Sequence, residues 1–107
     1  MNYLLTKHFK KQLKRYLNKD ESLLHNLENA LNIFNKRYAI SIGKGIYKIR
    51  IQSRNKGKSG GYRVYLLLLH LANVIVPLCI YSKNHRASLP LKELELHVDS
   101  VIVELGL

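Results

Sequence analysis

Residues 44–63 read KGIYKIRIQSRNKGKSGGYR, a stretch with seven lysine or arginine residues and no aspartate or glutamate. Apolar and polar side chains alternate from Tyr47 to Gln52, which is the period of a β-strand with one apolar face. Ser53–Gly61 then contains three glycines and two serines, a composition that suits a hairpin loop and lets backbone approach a ligand closely. The stretch therefore predicts a strand and a basic loop, which either binds a phosphate-rich partner or is a solvated loop.

The segments on either side predict the rest of a sheet. Tyr62–His70 and Val74–Tyr81 are nearly continuous runs of β-prone and apolar residues, as in strands that are covered on both faces. Pro77 cannot donate a hydrogen bond to a neighbouring strand, so we expect a bulge or an edge position there. Tyr3–Leu5 is predicted as a short edge strand, and Ile40–Gly45 as a turn-rich connection.

Apolar residues recur at helical spacing in three further segments. A first helix is predicted after Thr6, which suits an N-cap. A second covers Leu23–Phe34 with Asp20 or Ser22 as its cap, and a third covers Leu91–Leu105. The order β-α-α-β-β-β-α predicts one α+β domain over residues 1–107. In it, an N-terminal helical hairpin and a C-terminal helix pack on one face of a small antiparallel sheet, and much of the other face stays open.

The charge distribution predicts a cationic surface in the middle of the chain. The net charge of +11 and the pI of about 10.0 indicate a partner with negative charge, either a nucleic acid or an anionic surface. Between Glu28 and Glu93 the chain has twelve lysine or arginine residues and no acid. The two ends of the chain are more nearly balanced.

The single cysteine and the short apolar runs indicate the cellular compartment. Cys79 is the only cysteine, which excludes a disulfide framework and zinc-binding spacing. Its place inside an apolar run indicates a buried thiol in a reducing compartment. The longest apolar run, Val64–Leu69, has six residues, whereas a membrane-spanning helix needs roughly 20. We therefore expect a cytoplasmic protein without membrane attachment.

Three short motifs occur in register: GIYKIR at residues 45–50, GKSGGYRV at 57–64 and IYSKN at 80–84. Over about residues 40–95 the chain thereby resembles the RelE/ParE superfamily of type II toxins, nearest the RelE/HigB branch. The resemblance implies a microbial-ribonuclease-like sheet, ribosome-dependent cleavage of mRNA without a metal or other cofactor, and a co-expressed antitoxin. The chain departs from this family where His85–Ala87 follows the last motif in place of acidic residues.

The resemblance also implies catalytic roles. Metal-free cleavage uses the ribose 2′-OH as nucleophile and needs a proton acceptor, a group that stabilises the phosphorane and a proton donor for the leaving oxygen. Arg63 stands where RelE-like toxins place a phosphate-binding arginine, and its planar fork can hold two phosphorane oxygens. Lys56 and Lys58 are candidates for proton transfer, because neighbouring like charges lower a lysine pKa, or for clamps on the RNA backbone. Lys83 is a second candidate for phosphate binding or proton transfer.

Further residues are predicted to contact RNA. Tyr81 is counted with Arg63, Lys83, Lys56 and Lys58 as a candidate catalytic residue, and its ring is predicted to stack on a base, with a core aromatic as the alternative. His85 is also a candidate general acid, because histidine titrates near neutral pH. The predicted RNA-binding residues are Lys48, Arg50, Arg54, His85 and Arg86. For Arg63 and Lys83 the alternative is a solvated position on or after a strand.

Two other functions fit the same features. A ParE-like inhibitor of DNA gyrase would share the fold, because fold does not determine function, and a non-catalytic RNA-binding module is the third hypothesis. The cluster of Lys56, Lys58, Arg63 and Lys83 favours the nuclease, because an inhibitor that binds protein needs no converging phosphate donors. The antitoxin is predicted to be acidic, and to cover the basic surface or to replace the C-terminal helix.

Overall fold

The helices and strands follow the predicted order with one addition. The computed structural model describes residues 2–53, 61–86 and 88–107. In chain order the elements are β1 Asn2–Tyr3, α1 Lys7–Leu17, α2 Leu23–Asn32, β2 Ile40–Gly43, β3 Ile46–Ile51, β4 Tyr62–Leu69, β5 Val74–Ser82 and α3 Leu91–Leu105. The predicted α+β fold, with an N-terminal helical hairpin and a C-terminal helix, is confirmed. None of the helices in the described part of the chain is long and apolar enough to span a membrane.

The strands form one mixed sheet in the order β1-β5-β4-β3-β2. Neighbours from β2 to β5 are antiparallel, as predicted, whereas β1 lies parallel to β5 with Asn2 opposite Val74. The prediction of a turn-rich connection is wrong for Ile40–Gly43, which is a strand. This strand has only four residues and runs into a tight turn in which Gly43, Lys44 and Gly45 all have positive φ, so the turn signal at its end hides the strand.

A bulge in β5 lies next to Pro77, as the sequence predicts. The register between β4 and β5 changes from Tyr65 opposite Cys79 to Leu66 opposite Pro77, which makes Leu78 the extra residue. A bulge interrupts the ladder of hydrogen bonds locally, and this is how β5 pairs with β4 although Pro77 lacks an N–H group.

Helices cover both faces of the sheet. α1 and α2 pack on the face that carries Val64, Leu66 and Leu68 of β4. α3 packs on the opposite face, where Leu94 and Val101 join a separate apolar cluster with Leu67 and Val76 of the sheet. The expectation that all helices share one face is therefore wrong for α3. Helical periodicity reveals an apolar stripe, but it does not tell which face of a sheet the stripe meets.

Polar contacts fix the start of α1 and join it to α3. Thr6 Oγ1 accepts a hydrogen bond from the N–H of Phe9 at 3.1 Å, which is the predicted cap of α1. The carboxylate of Glu104 in α3 accepts the N–H groups of Lys7 and His8 at 2.6 and 3.1 Å. His8 Nε2 also lies 2.8 Å from Nδ1 of His97. The first turn of α1 is therefore attached to α3 at His97 and at Glu104.

Candidate functional site

Three strands bring Arg50, Arg63 and Tyr81 into one row across the sheet. Arg50 lies opposite Arg63 between β3 and β4, and Arg63 lies opposite Tyr81 between β4 and β5. Directly opposed residues of antiparallel strands share a face, with Cβ atoms about 4.5–5.5 Å apart. Lys48 and Tyr65 form part of the next row on the same face. We call these five residues the basic face; they lie on the side of the sheet that α3 covers in part.

Arg63 is buried, with 8 % of its surface exposed, and its Nη1 has no hydrogen-bond partner among the described residues. A buried donor without an acceptor costs free energy, and the opposing Arg50 supplies only further positive charge. A phosphate oxygen would provide the missing acceptor through a charge-assisted hydrogen bond. The alternative of a solvated surface arginine at position 63 does not agree with this burial.

Tyr81, next to Arg63, is buried rather than open to solvent. Its exposed fraction is 7 %, and its hydroxyl donates to Tyr65 Oη at 3.3 Å. Tyr65 Oη in turn accepts the N–H of Leu89 at 3.1 Å. Burial, and then the hydrogen bond with Tyr65, raise the pKa of Tyr81. This geometry matches the alternative of a core aromatic, and the predicted stacking on a base stays a prediction.

Tyr65 supports the basic face from within, although it is not among the site residues predicted from the sequence. Its ring stacks on that of Tyr81 with centroids 6.0 Å apart, and Lys48 Nζ lies 5.8 Å from the centroid of the Tyr65 ring. A cation at that distance is attracted to the face of an aromatic ring. The available signal was its position two residues after Arg63 in the same strand, which places both side chains on one face.

The segment after β5 brings three predicted residues to the edge of the site. The N–H of Lys83 donates to the carbonyl of Gly61 at 3.0 Å, which puts this half-buried lysine beside the end of the basic loop. His85 and Arg86 are exposed. Arg86 Nη1 lies 2.7 Å from a carboxylate oxygen of Glu93 in α3, so its charge is partly neutralised. The imidazole of His85 is accessible to solvent.

Backbone geometry explains the glycine that closes the basic loop. Gly61 has a φ of +113°, and a Cβ at this position would lie 2.6 Å from the carbonyl oxygen of Ile51. Only glycine fits there, because it has no Cβ and adopts positive φ without strain. Arg54, Lys56 and Lys58 lie outside the described residues, and their predicted roles stay predictions.

A buried acid anchors both ends of the basic loop. Asp20 is 2 % exposed; its Oδ2 accepts the hydroxyls of Ser53 and Tyr62 at 2.5 and 3.3 Å, and its Oδ1 accepts the N–H and hydroxyl of Ser22. Burial alone would raise the pKa of Asp20, but the hydrogen bonds from Ser53, Ser22 and Tyr62 outweigh it and lower that pKa. The sequence predicts Asp20 only as a helix cap, because the contacts with Ser53 and Tyr62 depend on the tertiary fold.

The described residues offer cationic donors rather than a metal site. Among residues 2–53, 61–86 and 88–107, no three histidine, cysteine, aspartate or glutamate side chains are grouped so that they could hold a metal ion. The only cysteine, Cys79, is buried, and burial raises the pKa of its thiol to about 12. What the site provides is a set of cations around a buried guanidinium.

One known protein family matches most of the chain. Its description is "RelE toxin of RelE / RelB toxin-antitoxin system", and the match covers residues 1–100. No match is found among curated proteins. The sheet, the helical hairpin and the C-terminal helix agree with the fold that the three motifs predict. The chain therefore belongs to the RelE toxin family, and it is the toxin of a toxin–antitoxin pair whose partner is an antitoxin.

Proposed function

We propose that this toxin is a metal-independent endoribonuclease that cleaves mRNA on the ribosome. The observation that carries the proposal is the buried guanidinium of Arg63, whose Nη1 lacks an acceptor among the described residues. Lys48 and Arg50 on the same face supply further positive charge for an RNA backbone. A gyrase inhibitor is less well supported, because binding to a protein surface gives no reason for an unsatisfied buried guanidinium beside these cations.

In the proposed reaction, the ribose 2′-oxygen forms a bond to the adjacent phosphorus while the bond to the 5′-oxygen breaks. The products are a 2′,3′-cyclic phosphate and a 5′-hydroxyl. Arg63 holds the phosphorane oxygens, where charge develops, and a donor of this kind typically contributes about 3 kcal/mol to transition-state stabilisation. Lys56 or Lys58 accepts the proton of the 2′-OH, and Lys83 or His85 returns a proton to the 5′-oxygen.

We also propose the partners and the compartment of the toxin. The ribosome and mRNA are the targets, and the cytoplasm is where a protein acting on them works. The antitoxin is proposed to be acidic and to cover the basic face, because complementary charge speeds encounter and fixes orientation. An assignment near the HigB branch within the family stays a prediction from the motifs.

The test is Arg63→Ala, compared with Arg37→Ala as a control at an exposed position outside the site. We expect Arg63→Ala to remain folded and to reduce mRNA cleavage by about 100-fold or more, because it removes a donor made for the transition state. Arg37→Ala should cut like the original protein. Cleavage is measured by primer extension on mRNA incubated with ribosomes and each purified variant, and folding by thermal unfolding.

Two outcomes would contradict the proposal. Full cleavage by a folded Arg63→Ala protein would remove Arg63 from the reaction. An original protein that leaves mRNA intact on ribosomes but blocks supercoiling by gyrase would establish the inhibitor hypothesis instead.

A further inference from the structure

Two adjoining clefts form a groove along one edge of the sheet. The first has a volume of about 600 Å³ and the second about 430 Å³. Both are lined by Arg15 of α1, by Ile80 and Tyr81 of β5, and by Arg86. These four residues line both clefts, so the clefts adjoin, and we call them together the edge groove.

The edge groove exists because β5 is longer than its outer neighbour. β1 pairs with only the first two residues of β5, and α1 lies beside the remainder. Gln12 Nε2 donates to the carbonyl of Leu78 at 3.1 Å, and Tyr16 Oη accepts the N–H of Ser82 at 3.3 Å. These side chains already form hydrogen bonds with backbone groups at the exposed edge of β5. The groove therefore suits a ligand that contacts side chains better than an added β-strand.

The walls of the edge groove are cationic. Lys11 and Arg15 are four residues apart in α1, which places them on one side of the helix with a rise of about 6 Å between them. Lys19 continues this wall, whereas His85 and Arg86, which is paired with Glu93, stand on the other side. The row of Lys11, Arg15 and Lys19 matches a chain of phosphates, whose charges also repeat at regular intervals.

The two acids of the edge groove do not oppose this charge strongly. Asp20 is almost completely buried, and its carboxylate oxygens already accept hydrogen bonds from hydroxyl and backbone groups. Glu93 is paired with Arg86. The side chains of Lys11 and Arg15 are exposed, and no ion pair is found for either among the described residues.

The edge groove begins beside the candidate site. Tyr81 lines both clefts and lies directly opposite Arg63 in the sheet. An RNA strand bound at Arg63 can therefore continue past Tyr81 and Arg86 to Arg15. Clefts of this size suit single nucleotides in succession, and a cationic groove with an aromatic side chain, here Tyr16, is typical of single-strand binding.

We propose that the edge groove binds the phosphates of single-stranded RNA that continues beyond the cleavage site. The identity of the substrate rests on the proposed function, whereas the groove and its charge do not. Lys11 and Arg15 hold successive backbone positions in this arrangement. They bind RNA without taking part in the chemical step at Arg63.

The experiment compares two double variants that remove the same charge from the same helix. Lys11→Gln with Arg15→Gln changes the edge groove, whereas Lys10→Gln with Lys14→Gln changes exposed positions of α1 that line neither cleft. Binding of a labelled 12-nucleotide uridine RNA is measured by fluorescence anisotropy at several salt concentrations. Circular dichroism checks that both proteins keep their helix content.

We expect the first pair to weaken RNA binding about tenfold and to lower the log–log salt slope by about 1.4, since each single-strand phosphate contact contributes about 0.7. The control pair should change affinity by about twofold or less, through loss of diffuse attraction alone. Equal losses in the two pairs, or no loss in either, would overturn the proposal. So would a first pair that binds RNA normally but binds the antitoxin more weakly than the control pair does.

The proposed function and the edge groove can fail separately. If the first double variant binds RNA more weakly than the control pair, but the original protein cuts no mRNA on ribosomes, the proposed nuclease activity is wrong and the RNA-binding role of the edge groove stands. If it cuts mRNA while the two double variants bind RNA equally, the groove is wrong and the nuclease stands.

Discussion

The two faces of the sheet use the same strand for different purposes. In β4, residues of one parity pack beneath α1 and α2, and residues of the other parity lie on the side of α3. The first set is entirely apolar or tyrosine, whereas the second begins with Arg63. The buried residues of β4 beneath α1 and α2 hold the strand, and with it Arg63, in a fixed place. The packing on that face thereby supports a charge on the opposite face that is costly to bury.

The largest expected effect tests whether the face of the sheet beneath α1 and α2 is the main source of stability. Leu66→Ala removes a fully buried side chain under the helical hairpin, and we expect it to lower the free energy of unfolding by about 3–5 kcal/mol. Leu67→Ala, at the adjacent position on the α3 side, removes a side chain with 8 % exposure and should cost about 2 kcal/mol. Urea unfolding of both variants gives the comparison. Equal losses would mean that both faces are packed equally well.

The next effect concerns the acid that joins the ends of β3 and β4. Asp20→Asn should lower the free energy of unfolding at pH 7 by about 1–3 kcal/mol, because hydrogen-bond acceptors are lost in a buried cluster. The pKa of Asp20 is lowered by folding, so its stabilisation is present above about pH 4 and is lost as the pH falls through the folded value. The difference between the variant and the original protein should therefore shrink at pH 3. A difference that is the same at pH 7 and pH 3 would contradict this.

Much of the fold follows from local sequence, and the exceptions have physical causes. Alternation predicts β3, and uninterrupted apolar runs predict β4 and β5, because strand period is set by the backbone. β2 is missed because it has only four residues and runs directly into the turn at Gly43, Lys44 and Gly45. The parallel pairing of β1 depends on a partner more than 70 residues away. The side on which α3 packs is likewise decided by tertiary contacts.

Part of the candidate site also follows from local sequence, and part of it depends on the tertiary fold. Parity along β3 is enough to place Lys48 and Arg50 on one face, whereas the register between β3 and β4 adds Arg63 to that face. The burial of Arg63 and of Tyr81 was not predictable, since it depends on neighbouring strands and on α3. The contacts of Asp20 with Ser53 and Tyr62 join residues 33 and 42 positions apart, and no local pattern indicates them.

The smallest effect concerns the attachment of α3 over the second face. Burial, and then the neighbouring His8, lower the pKa of His97, so the protonated ring is less stable in the folded protein than in the unfolded chain. The associated stability is present above about pH 6.5 and is lost as the pH falls through the folded value. We expect the stability of the original protein to decrease between pH 7.5 and pH 5.5, and His97→Gln to reduce this decrease.

Thermal unfolding across that pH range measures the effect, with His25→Gln as a control at an exposed histidine of α2. The same pH dependence in the His97→Gln and His25→Gln proteins would show that the contact between His8 and His97 does not hold α3 in a pH-dependent way.

The side chains that cover the outer edge of β5 also affect whether the protein associates with itself at high concentration. An exposed strand edge can pair with the same edge of another molecule and begin aggregation. Here Gln12 and Tyr16 already occupy backbone groups of Leu78 and Ser82, and the cations of α1 alongside repel a second copy. Self-association through this edge is therefore disfavoured, and the toxin can stay dispersed in the intervals when no antitoxin is bound to it.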